Sequence, residues 1–118
     1  MKAYKIYALQ ESVRVWQKKL TMTSGMLPLS HLDCPLCGLF FYRTPDCKGC
    51  PVKKDTKKSL CRKSPYDTVS NFIETLPRRK YKFFLETYSQ KEMIKLRKLI
   101  KKEIDYLNSL LPPMYRVF

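Results

Sequence analysis

Two Cys-x-x-Cys pairs in the stretch CPLCGLFFYRTPDCKGC, Cys34 to Cys50, constrain this chain more than any other feature. Two residues between paired cysteines let both sulfurs converge on one ion while the intervening amides turn around them. Two such pairs supply the four ligands of a tetrahedral zinc site. Pro35 stiffens the first turn, and Gly38 tolerates the positive φ that such a knuckle tends to need. Gly49 lies inside the second turn and Pro51 follows it. The ligands are therefore expected to be four of Cys34, Cys37, Cys47, Cys50 and Cys61, with Zn2+ as the ion. His31, the only histidine, lies three residues before Cys34 and competes for a place, though an exposed loop position suits it better. An iron–sulfur cluster is the alternative, because a Cys-Pro step after the last cysteine also occurs in cluster proteins. Disulfides and unliganded thiols remain open as well. With cysteine in every position the site is closed, which is the structural rather than the catalytic kind.

Around this segment the chain reads as helical. Ile6, Leu9, Val13, Trp16 and Leu20 recur at spacings of three and four, one stripe of a helix over 4–20. Residues 31–63 carry all the cysteines and no sustained helical period. They form a loop-rich stretch expected to bury little apolar surface of its own. From 64 to 111 helices return. Ser64, Pro65 and Asp67 suit a helix start, with Val69, Phe72, Ile73 and Leu76 as the apolar face before Pro77. Tyr81, Phe84, Leu85 and Tyr88 continue at helical spacing. The last helix has capping-box spacing at Ser89 and Glu92 and ends at Pro112-Pro113. Its expected buried stripe is Met93, Leu96, Ile100, Ile104, Leu107 and Leu111. The expected fold over 1–118 is one small, mainly α domain stapled by a loop-rich, metal-binding cysteine knuckle.

Lys and Arg number 24 against 10 acids, a formal charge of +14. Such a field favours a polyanion: nucleic acid, an acidic protein surface or anionic lipid. Lys91, Lys95, Lys98 and Lys102 fall on one side of the last helix, and Arg78 and Arg79 add a second cluster. These six are the candidate phosphate contacts. Phe40, Phe41 and Tyr42 either stack on bases or, the simpler account, anchor the metal loop. Glu86, Glu92 and Glu103 read as ordinary surface partners of lysines. No apolar run is long enough to span a membrane, and no secretory leader is evident, so a cytoplasmic location is expected. One histidine, no phosphate-cradling glycine loop and no nucleophile beside a base argue against an enzyme.

The segments ALQESVRVWQKK, CPLC, DCKGCPV, a later cysteine followed by SPYD, and EIDYLNSLLP resemble a family of small cysteine-rich proteins of bacteriophages and prophages. The likeness covers residues 8–66 and 103–112, and the cysteine order is its most specific part. Ser64 stands where that family usually has Thr, and the basic stretch from 77 to 102 is longer. The resemblance implies a viral or mobile-element origin, a host-cell cytoplasmic location and a shared role for the five cysteines. From the sequence two functions are expected: non-catalytic nucleic-acid binding by a viral accessory protein, or an anti-defence or host-takeover protein that binds a host complex through its basic surface.

Overall fold

The computed structural model describes residues 1–29, 34–41, 47–57, 64–77 and 81–118. The described residues form four α-helices: α1 Ala3–Thr21, α2 Pro51–Thr56, α3 Pro65–Glu74 and α4 Gln90–Ser109. A π-turn, Cys37–Phe41, and two short 3₁₀ turns complete the regular structure. The mainly α reading holds.

Helices α1 and α4 form where the period predicts them, and they pack on each other, with α3 on α4. Leu9 and Val13 of α1 face Leu96, Ile100, Ile104 and Leu107 of α4 in one core. Each fully buried aliphatic side chain contributes about 1.5–3 kcal/mol, so this seam is the main support of the fold. The start of α4 is held as its sequence predicts: the Glu92 amide donates to Ser89 Oγ at 3.1 Å, and the Ser89 amide donates to Glu92 Oε1 at 2.8 Å. Helix α3 begins with Pro65 at its first position, Ser64 before it and Asp67 in the first turn. Trp16 of α1 meets Tyr66 of α3 edge to face, with centroids 5.9 Å apart.

Two expectations are corrected. Tyr81 to Tyr88 does not form a helix beyond a 3₁₀ turn, Leu85–Thr87. Its backbone is used across the chain instead: the Leu27 amide donates to Phe83 O at 2.7 Å, and the Leu85 amide donates to Gly25 O at 3.0 Å. Gly25 takes a φ of +82°, and its amide donates to the Glu86 carboxylate. Only Leu85 and Tyr88 of that apolar set are buried, whereas Tyr81 and Phe84 are exposed. The cysteine-rich segment, in turn, buries more than expected: Leu36, Phe40 and Val52 all enter the core. The C-terminal residues fold back, with the Asn108 side chain exchanging two hydrogen bonds with the Val117 backbone.

Candidate metal centre and basic helix face

Cys34 lies near Ser12 of α1 and Glu103 of α4, and Cys37, Cys47 and Cys50 are buried. Phe40, between the pairs, is buried with its ring centroid 6.5 Å from that of Tyr4, so the anchoring account of this side chain is the correct one. Helix α2 is tied down by the Tyr106 hydroxyl of α4, which donates to Asp55 Oδ2 at 2.7 Å. The 47–50 knuckle is a tight turn in which the Cys50 amide donates to Cys47 O at 3.0 Å. Cys47 has a φ of +60° and Gly49 of +86°. A side chain at 49 would find room, its Cβ 3.5 Å from Phe40, so glycine is needed there for backbone geometry rather than for space.

Cys34, Cys37, Cys47 and Cys50 carry free thiols, all but Cys34 buried. Cys34 and Cys50 share a local design: a proline follows each, and the amides two and three residues ahead approach the sulfur. Those amides belong to Leu36 and Cys37 for Cys34, and to Val52 and Lys53 for Cys50. Amides so placed favour thiolate, the form that binds a metal. The outcome differs between the two. The Cys37 side chain, with the Cys37 and Leu36 amides and the Ser12 hydroxyl, overcomes burial and lowers Cys34 to about 6. Burial, with the nearby charges of Cys34 and Cys47, raises Cys50 despite its amides.

Sequence reasoning missed three polar residues of the helices beside this site: Ser12, Lys19 and Glu103 are all buried. Glu103, expected at the surface, is only 2% exposed, and burial raises its carboxyl to about 8; the Cys34 charge adds to the rise and Lys19 opposes it. Among the described residues Glu103 Oε2 is buried without a hydrogen-bond partner. Ser12 Oγ likewise lacks a partner in good geometry, yet lies close enough to favour the Cys34 thiolate. Lys19 is covered by Trp16, its Nζ 4.4 Å from the ring centroid. The signal was present in the periods, since Ser12 follows Leu9 by three and Glu103 follows Ile100 by three.

The donor set, soft thiols in two Cys-x-x-Cys pairs, fits zinc in kind. Among the described residues no three His, Cys, Asp or Glu side chains are gathered closely enough to hold an ion. Cys61 and His31 lie outside the described residues, as do Tyr42, Arg78 and Arg79.

The basic face of α4 lies as the period predicts. Lys91, Lys95, Lys98 and Lys102 are all exposed, with Arg97 and Lys101 beside them. The four strip lysines and Lys101 line a groove of about 600 Å³, with Ile94 and Leu99 as its apolar part and Asp105 as its acid among the described residues. Lys95 Nζ also sits 5.6 Å from the centroid of the Phe72 ring of α3. Among the described residues no helix is long and apolar enough to cross a membrane. Comparison with known proteins finds no matching family model, no similar curated protein and no similar solved structure.

Proposed function

We propose that this chain is a non-catalytic, zinc-stapled basic protein that binds nucleic acid in the cytoplasm, as a viral accessory protein would. The observation that carries the reading is the lysine-lined groove of α4, where five ammonium groups face solvent with one described carboxylate among them. Cations so clustered bind phosphates by releasing the counterions condensed on a nucleic acid, whatever its sequence. Four of the five cysteines would hold the zinc. The amides around Cys34 and Cys50 support this, because they stabilise the charge that each ligand must carry. Bound zinc would lock the knuckle against the helices beside it.

The test is titration of a labelled duplex and a labelled single strand across a range of salt. Native protein is expected to bind both, with log K falling linearly in log salt. Replacing Lys91, Lys95, Lys98 and Lys102 together by Ala should weaken binding at least about ten-fold and flatten that slope by roughly three to four. No binding by the native protein, or an unchanged slope in the variant, would sink the reading.

A second reading has its own support. Ile94, 51% exposed, projects from the middle of the lysine face. An apolar anchor ringed by charge is how a protein interface is built. The partner would then be an acidic surface of a host complex, as expected of an anti-defence or host-takeover protein. Capture of one host protein by a chain with no affinity for nucleic acid would favour it.

A further inference from the structure

The first turns of α1 carry a surface that the lysine face of α4 does not explain. Tyr4 and Tyr7 are 49% and 63% exposed. They are three residues apart and so share one side of the helix. Tyr7 has neither a hydrogen-bond nor a ring partner among the described residues. Both line a hollow of about 320 Å³ whose other wall is Pro35 and Leu39 of the first cysteine knuckle. That is the size of the smaller pockets that hold ligands. Cations border it. Lys5 Nζ lies 6.0 Å from the Phe40 ring centroid and beside Gly49 of the second knuckle. Lys2 is exposed one turn back, and α1 has no acidic residue before Glu11.

Resting on the nucleic-acid reading above, the geometry points to this hollow as a stacking site for the bases of single-stranded nucleic acid. Tyr4 and Tyr7 supply the ring faces, and Lys2 and Lys5 hold the adjoining phosphates. Exposed aromatic rings beside ammonium groups are what an unpaired strand recognises, since every base offers a π-face and every linkage a charge. The bases of a duplex are already stacked inside it and cannot reach the rings. The two surfaces therefore divide the work: α4 takes either form of nucleic acid, and the start of α1 selects the single strand. Because the hollow is walled by the first knuckle, its shape depends on the same segment that would hold the metal.

The experiment uses the full chain as purified, a mixed-sequence single strand and the corresponding duplex, both fluorescently labelled. Replacing Tyr4 and Tyr7 together by Ala is expected to weaken single-strand binding roughly ten-fold or more while leaving the duplex within about two-fold. Replacing both by Phe should keep native affinity, because the ring and not the hydroxyl stacks. Both positions are exposed, and an unchanged thermal melt confirms that each variant is folded. Native-like single-strand binding by the Ala variant overturns the inference while leaving the function intact. Equal loss on duplex and single strand overturns it too, as would loss in the Phe variant. A native protein that binds neither form removes the nucleic-acid reading itself, and this inference with it.

Discussion

Cys34 and Cys50 are locally alike and chemically opposed. Each precedes a proline and is approached by the amides two and three residues ahead, yet Cys34 is drawn down to about 6 and Cys50 is pushed up. Burial raises both. What separates them is the company each keeps: Cys34 has the Cys37 side chain and the Ser12 hydroxyl of α1 as further partners, while Cys50 has the charges of Cys34 and Cys47. A Cys-x-x-Cys motif brings its own amides wherever it occurs. The state of each thiol is set by its motif partner, its burial and the charges around it, with the Ser12 hydroxyl of α1 a small further contribution.

Zinc offers the largest test of that contrast, because a metal would erase it by holding both sulfurs as thiolates. Folding free energy on the order of 10 kcal/mol rests on structural zinc in small domains. Cys34→Ser and Cys50→Ser are each expected to abolish one zinc per chain by elemental analysis. Chelation should lower Tm by about 10 °C or more. The helical signal of α1, α3 and α4 should persist at room temperature, since their core packs without the ion. Full zinc retained by either variant would break the symmetry and assign that position to Cys61.

Next in size is Glu103, the buried neighbour of Cys34. Its folded carboxyl is raised to about 8, so between its ordinary value of 4.5 and 8 the unfolded chain has released a proton that the folded chain keeps. Stability conferred by the protonated form is full below pH 4.5 and is lost as pH rises through 8. Glu103→Gln cannot ionise. It should be more stable than the native chain by about 2–4 kcal/mol at pH 8 and equal to it below pH 4.5, read by urea denaturation across pH. Destabilisation at every pH would mean instead that Lys19 holds an ionised carboxylate as a buried pair.

The smallest effect is the most direct. In protein stripped of metal, iodoacetamide at pH 7 should label Cys34 about ten-fold faster than Cys50, with a midpoint in the pH profile near 6. Ser12→Ala should raise that midpoint slightly, since Ser12 is the weakest of the partners lowering it. Equal rates would show that the protein without the ion does not distinguish the two sulfurs.

How much of this was legible in the sequence depended on whether the relevant partner was near in the chain. Helix α1, the capping box of α4 and the exposed lysines follow from periods of three and four and from residues three apart, and they stand where expected. Gly49 and Cys50 followed from a tetrapeptide. Glu103 was misread because its neighbours in sequence, Lys101 and Lys102, are exposed while its neighbours in space are Cys34 and Lys19. The stretch from Tyr81 to Tyr88 was misread because an apolar period does not reveal where a backbone finds its hydrogen bonds.

By itself, then, the sequence determined three amphipathic helices, the capping box of α4, a cationic face and two cysteine turns, each written within one or two helical turns of chain. Only the tertiary structure decided that segment 83–85 pairs with 25–27, and that the knuckle sinks Leu36, Phe40 and Val52 into the core. It alone seats one thiol beside Ser12 and Glu103 and buries another within reach of the charges of Cys34 and Cys47. Those outcomes depend on groups tens of residues apart being brought within a few ångströms. Hydrogen bonding, desolvation and charge act over that distance in space, whatever the separation along the chain.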